Sequence, residues 1–217
     1  MIIHLLSFLD HSALLTVLLW TGVGYLLGSI PFSLLLSRWL AGTDIRRVGD
    51  GNPGAYNAWQ AGGWPVGVLA ILCDVGKGLL ALLMAQQLGG LSQWLLVPVA
   101  LAPILGHAFS PFLHFHKAKA VATTLGVWLG LSGLPGIIAF AIGAFVAMGL
   151  QEEHAWVVIA GMCSILVFSI FIAGQLSWVA AAVLNLLLLL YTHRAELHQP
   201  VHLHNRVGEL LLRRRSS

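Results

Sequence analysis

The chain has 217 residues, 58% of them hydrophobic and only 9% charged, with a formal net charge of +3. Soluble domains carry about 25% charged residues, so this composition excludes an ordinary soluble domain. It points to an integral membrane protein whose membrane domain takes up nearly the whole length. The sequence has no basic stripe with interleaved aromatics, which argues against nucleic acid as a partner; the positive charge, mostly in loops and tail, suits a membrane surface or an anionic substrate.

The first apolar run, Ala13 to Leu36, is uncharged and, at about 1.5 Å per residue, long enough to span a bilayer. Asp10 and His11 precede it rather than Lys or Arg, so it reads as a retained helix and not as a signal peptide. Pro31 should kink it or end its regular part. A polar, glycine-rich loop follows to about Gly63. It carries Asp44, Arg46, Arg47, Asp50, Asn52 and Asn57, the densest polar chemistry in the chain. Gly49, Gly51 and Gly54 can turn backbone N–H groups toward a phosphate or carboxylate, with Arg46 and Arg47 supplying charge. The same residues also describe a flexible connector whose arginines obey the positive-inside rule.

The second run, Trp64 to Gln87, holds Asp74 and Lys77 three residues apart on one helix face. In an apolar helix such charges are expected to form a structural pair. The third run, Trp94 to Phe115, contains Pro98, Pro103 and Pro111 and is expected to be irregular. "HFHKAKAVATT" then places His114, His116, Lys117 and Lys119 at an interface. Two runs follow, Ala120 to Leu131 and Pro135 to Leu150, each shorter than the roughly 20 residues of a full span. They are expected to form a pair of short helices turning at Gly133. After the polar break Gln151 to His154 come Ala155 to Ala173 and Ser177 to Leu190, joined by Gly174 and Gln175. The membrane domain is set at residues 1–197 and a polar, basic tail at 198–217, ending in Arg213, Arg214 and Arg215.

Lys and Arg gather on alternate loops: Arg38, Arg46 and Arg47, then Lys117 and Lys119, then Arg194 and the tail. The positive-inside rule puts these on the cytoplasmic side. The resulting fold class is an all-α integral membrane protein of about seven transmembrane helices, N-terminus outside and C-terminus cytoplasmic. The glycine-rich loop, the Lys119 region, the Glu152 turn and the His193 region then share the cytoplasmic face.

Three stretches, "GSIPFSLLLSRWLAGTDIRRVGDGNPGAYNAW", "GHAFSPFLHFHKAKAVATTLG" and "NLLLLLYTHRAEL", resemble the motif regions of the bacterial acyl-phosphate:glycerol-3-phosphate acyltransferase family (PlsY). The resemblance runs from about Tyr25 to Leu197 and is most specific in the first stretch. It implies a seven-helix enzyme of phospholipid biosynthesis in the cell inner membrane, with a cytoplasm-facing site. The enzyme would move an acyl chain from acyl phosphate to glycerol 3-phosphate, giving lysophosphatidate and phosphate with no metal or other cofactor. Carried over position by position, Gly49, Gly51, Asn52, Gly54 and Asn57 match a loop that cradles phosphate. Lys119 and Thr123 match the lysine and threonine of the second motif, and His193 and Arg194 the His-Arg of the third. The chain also departs from the pattern. Asp50 replaces a serine, Gln60 an arginine, Val158 a serine and Glu196 an asparagine, and Ala118 and Ala120 replace glycines around Lys119.

At the residue level, His193 at a helix end could orient or deprotonate an acceptor hydroxyl, or be an interfacial histidine. Lys119 could balance phosphate charge, or anchor a loop. His107 reads as a hydrogen-bonded packing residue. His198, His202 and His204 lack a carboxylate or cysteine at ligand spacing and read as tail solvation rather than a metal site. Cys73 and Cys163 lie in apolar runs and read as buried thiols, and most of the eight tryptophans as interface anchors. Two functions are therefore expected to compete. One is a membrane acyltransferase whose partners are acyl phosphate, glycerol 3-phosphate or a related acceptor, and membrane lipids. The other is a non-catalytic relative serving as a structural or lipid-binding subunit beside other membrane subunits.

Overall fold

A computed structural model describes residues 11–115 and 118–199. Their regular structure is helical: α1 (His11–Ser29), α2 (Phe32–Ala41), α3 (Ala55–Gln87), α4 (Leu96–Ala108), α5 (Val121–Ser132), α6 (Leu134–Leu150), α7 (His154–Phe168), α8 (Leu176–Thr192) and α9 (Arg194–Leu197). Among the described residues, His11–Ala41, Ala55–Gln87, Gln93–Leu113 and His154–Ala173 are long and apolar enough to cross a membrane, and α5, α6 and α8 are shorter apolar helices. This is the all-α membrane architecture expected from composition. The chain divides into two compact units, one through Leu131 and the other from Ser132. Lys117, His202, His204 and the tail arginines lie outside the described residues.

In the first unit, α1 packs on α4 and α3, and α2 packs on α3. The α1–α4 contact is backbone against backbone. A side chain on Gly28 would collide with the main chain of Pro103, and one on Gly106 with that of Tyr25 and Ser29. Between α3 and α5, Gly78 faces the Thr123 carbonyl and Gly126 the Val75 carbonyl in the same way. Close approach through small residues is how membrane helices gain contact where burial from water contributes nothing.

Pro31 separates α1 from α2, as its missing N–H requires. In a bilayer the carbonyls released at such a break need new donors. Ser110 Oγ donates to Ser29 O at 2.5 Å, and Lys77 Nζ donates to Ile30 O at 2.9 Å. Lys77 is ion-paired with Asp74 at 2.9 Å, both buried, and its Nζ lies 2.7 Å from His107 Nδ1. An ammonium can only donate, so Nδ1 accepts and the imidazole proton sits on Nε2. Ser33 Oγ completes the group by donating to Asp74 Oδ2 at 2.8 Å. The expected Asp74–Lys77 pair is thus present, and it joins α2, α3, α4 and the break at Pro31.

The polar loop is shorter than the sequence suggested. The first turns of α3, from Ala55 to Gly62, are helical where the sequence suggested loop; at Gly63 the backbone leaves the helical region, with φ 75° and ψ −174°, and the helix resumes at Trp64, where the sequence placed the start of the second run. Glycine tolerates that conformation, which makes it the residue for such a kink.

In the second unit, α7 packs on α6 and α8. Gly143 of α6 meets Ser164 and the Ala160 carbonyl, and Gly161 of α7 lies under the Phe140 ring. After α7 a widened turn, Ser169–Ala173, ends at Gly174 with φ 62°. Both described cysteines are free thiols, but they are not buried as expected: Cys163 is exposed and Cys73 half-buried. A thiol behaves as a small hydrophobe and is tolerated on the outer face of an apolar helix. Trp39 and Trp94 are exposed near helix ends, as anchors should be, and Trp64 is exposed at the Gly63 kink, whereas Trp128 is buried.

Neutralising one member of the Asp74–Lys77 pair strands the other. Asp74→Asn or Lys77→Met alone is expected to destabilise the unit by about 3–5 kcal/mol, and the double replacement by less than either. Thermal unfolding of the purified variants in detergent measures this; equal losses in all three would show that the two charges are not coupled.

Candidate functional site

The loop between α2 and α3 is built from its ends inward. Gly42, with φ 62°, closes α2, and Asp44 caps a single 3₁₀ turn, Ile45–Arg47, by accepting from the Arg46 N–H at 3.1 Å. The Arg46 guanidinium grips the same carboxylate through Nε (3.0 Å) and Nη2 (2.6 Å), and Arg38 Nη2 adds a contact at 2.7 Å. The Arg46 hydrogen bond, opposed by burial and assisted by Arg38, holds the Asp44 carboxyl well below the usual carboxylate range. Arg46, a candidate substrate-binding residue, is therefore engaged in organising its own turn, while Arg47 is exposed. Ile45 points inward and is fully buried in the apolar cluster of Leu34, Ala58, Val66, Ala70 and Leu113. This side chain fixes the loop to α2 and α3.

Asn57, in the first turns of α3, organises the glycine stretch. Its Nδ2 donates to Val48 O (2.8 Å), Asp50 Oδ1 (2.8 Å) and Asn52 O (2.9 Å). Gly49 and Gly51 take φ 57° and 74°, a region open to glycine at no steric cost. A side chain on Gly49 would also press on Asn57 Oδ1 and Gln60 Oε1. The Gly51 and Gly54 N–H groups close turns onto Val48 O and Asn52 O. Asp50 is the centre of what remains. Its Oδ1 accepts from the Asn52 N–H at 3.1 Å and from Asn57, and its Oδ2 pairs with Lys119 Nζ at 2.7 Å. Burial pushes this carboxyl up, but Lys119, Asn52 and Asn57 together outweigh it and hold it below its ordinary value. The structure thus brings Gly49, Gly51, Asn52, Gly54, Asn57 and Lys119 into one cluster around Asp50.

Lys119 reaches the loop from a strained segment. Ala118 and Ala120 are buried, Ala118 N–H donates to Ala108 O, and Ala120 has φ 59°. That conformation costs an L-residue roughly 1–2 kcal/mol. Thr123 follows on α5, fully buried, its Oγ1 without a hydrogen-bond partner among the described residues.

His193, Arg194, Glu196 and Val158 belong to the second unit. His193 is buried at the end of α8, and its Nδ1 lies 2.9 Å from Leu189 O. A carbonyl oxygen only accepts, so Nδ1 carries the hydrogen and Nε2 is the basic nitrogen. The Arg194 guanidinium folds back on Tyr191, donating to its carbonyl at 2.7 Å and lying 4.4 Å from the ring centroid. His198 Nδ1 donates to Arg194 O. Val158 is half-buried on α7.

Two residues that the sequence reading passed over, Ser33 and Ser110, join His107, which it read as a hydrogen-bonded packing residue, in tying the helices of the first unit together. Their signal was present. Two charges inside an apolar run demand polar partners from other apolar runs, and Ser33 and His107 are among the few available.

The strain at Ala120 makes a specific expectation. Ala120→Gly relieves the conformation but gives up a buried methyl and loosens the unfolded chain, and should stay within about 1 kcal/mol of the parent. Ala120→Val, β-branched in a left-handed conformation and in a packed site, should lose about 2 kcal/mol or more. Unfolding midpoints of both variants test this, and a well-tolerated valine would rule out the positive φ.

The sequence matches the family model described as glycerol-3-phosphate acyltransferase over residues 18–202. It is 39% identical over 184 residues to the glycerol-3-phosphate acyltransferase of Thermus thermophilus, covering 84% of this chain and 91% of that one. It is 36% identical over 178 residues to the enzyme of that name from Neisseria meningitidis, covering 81% and 88%. Among solved structures, the crystal structure of PlsY (YgiH), an integral membrane glycerol 3-phosphate acyltransferase, is similar in two forms. The glycerol 3-phosphate form has a TM-score of 0.72 and 32% identity, covering 92% of this chain and 98% of that one. The lysophosphatidic acid form has a TM-score of 0.71 and 31% identity, covering 83% and 89%. With a family match spanning most of its length and an all-helical fold shared with a solved relative, the chain belongs to the glycerol-3-phosphate acyltransferase family of integral membrane proteins.

Proposed function

We propose that this protein is a membrane acyltransferase that moves an acyl chain from acyl phosphate to glycerol 3-phosphate. The acceptor hydroxyl attacks the acyl carbonyl carbon, the bond from that carbon to the phosphate oxygen breaks, and lysophosphatidate and inorganic phosphate leave. The observation that carries the reading is the convergence of three donors, the Asn52 N–H, Asn57 Nδ2 and Lys119 Nζ, on one negatively charged group. Donors arranged to hold a carboxylate suit a phosphate oxygen equally well. In this reading the loop from Gly49 to Asn57 and Lys119 bind phosphate, Thr123 supports the Lys119 segment, and His193 accepts the hydroxyl proton on Nε2. Family membership disfavours a purely structural or lipid-binding subunit, since the curated relatives carry an enzyme's name.

The measurement is phosphate release from acyl phosphate in the presence of glycerol 3-phosphate, with lysophosphatidate detected directly. The parent is expected to turn over, and His193→Ala to lose about 10²–10⁴-fold in kcat, the usual worth of a general base. An inactive, folded parent would return the subunit reading to the front, and an undiminished His193→Ala would remove His193 from the chemistry.

We also propose that the protein lies in the plasma membrane with the loop, the Lys119 segment and the α8 end all exposed to the cytoplasm, as the Lys and Arg distribution favours. Single cysteines replacing the exposed residues Arg47, His114 and His198, in a background without Cys73 and Cys163, should react with an impermeant thiol reagent only from the cytoplasmic side. Labelling of any two from opposite sides would overturn this topology.

A further inference from the structure

Asp50 sits where the family resemblance leads one to expect a hydroxyl, and its surroundings are those of a bound anion. A main-chain N–H (3.1 Å) and an amide N–H (2.8 Å) reach Oδ1, and an ammonium (2.7 Å) reaches Oδ2. Arg38 and Arg46 are engaged on Asp44 rather than on this group. The Lys119 and Asp50 charges cancel each other within their ion pair. The Asp50 and Lys119 side chains are 46% and 30% exposed, and ion pairs so open to water are weak. The carboxylate can therefore swing into solvent.

We propose that Asp50 is an affinity-determining residue: its carboxylate occupies the phosphate donors as an internal anion, and a phosphate-bearing substrate binds by displacing it from Lys119. The proposal rests on the reading of this loop as the phosphate site. It makes Asp50 the opposite of a loop staple, and the two roles differ in sign. Removing a staple loosens Asn52, Asn57 and Lys119 and weakens phosphate binding. Removing an internal competitor strengthens it, because the same donors then face the ligand with one negative charge fewer.

The test uses the full chain in detergent or nanodiscs, with inorganic phosphate and glycerol 3-phosphate as probes in calorimetry and steady-state kinetics. Asp50→Ser is expected to lower the Kd for inorganic phosphate, and KM for glycerol 3-phosphate or acyl phosphate, about tenfold. Asp50→Asn should fall between parent and serine variant, since it removes the charge and keeps the shape. It also carries the test if the serine variant does not fold. In Asp50→Ser/Lys119→Ala the gain should vanish. A folded Asp50→Ser or Asp50→Asn whose Kd and KM are unchanged or raised would overturn the proposal while leaving the reaction intact. A tighter Kd for phosphate in a variant of a parent that shows no turnover would uphold the internal anion and overturn the reaction.

Discussion

The buried Lys77 ammonium is the interaction on which the first unit depends. It has three N–H donors and three partners: the Asp74 carboxylate on its own helix, the Ile30 carbonyl at the break between α1 and α2, and His107 on α4. A charge in this setting is costly unless each of its protons is matched. That demand makes the group a clamp: α1, α2, α3 and α4 cannot shift against one another without stranding a proton or a lone pair. Ser33 serves Asp74 from α2, and Ser110 serves the Ser29 carbonyl, so the irregular backbone at Pro31 is supplied from both sides.

From this clamp the chain is directed into the polar loop. Helix α2 runs from the break to its cap at Gly42, and Ile45, buried against α2 and α3, ties the loop down beyond it. The turn around Asp44, with Arg38 and Arg46 on the same carboxylate, is a second electrostatic knot at the surface. Asn57 is the third, and it shapes the stretch from Val48 to Asn52. A glycine-rich loop needs such internal supports, because its own residues contribute little packing.

Some features that break local rules lie around this loop. Ala120 adopts a conformation that suits glycine, and Asn52 Oδ1, Asn57 Oδ1 and Thr123 Oγ1 are buried without hydrogen-bond partners among the described residues. Others lie away from it: Gln93, His114 and Phe115 also take positive φ. Kinship in fold alone would not establish an activity. Here the family match is joined by a set of donors already holding an anion, supplied by the chain itself through Asp50.

The sequence by itself determined the class of protein and most of its helices. Composition dictated a membrane protein. Pro31 and the Gly133 turn marked real breaks, and two charges three residues apart in an apolar run implied a buried pair. The family was legible in the glycine loop, because residues bound by backbone conformation and close contact form a motif that side-chain drift leaves intact. Periodicity placed the membrane run that begins at Trp64 but not the short helical stretch from Ala55 that precedes it, joined to it through a kink at Gly63. Nor could it reveal the partners of Asp50 and Lys77. Lys119 lies 69 positions from Asp50 and His107 lies 30 from Lys77. Which donors meet over such separations is decided by how the helices pack, and only the tertiary structure paired an apparently misplaced carboxylate with Asn52, Asn57 and Lys119.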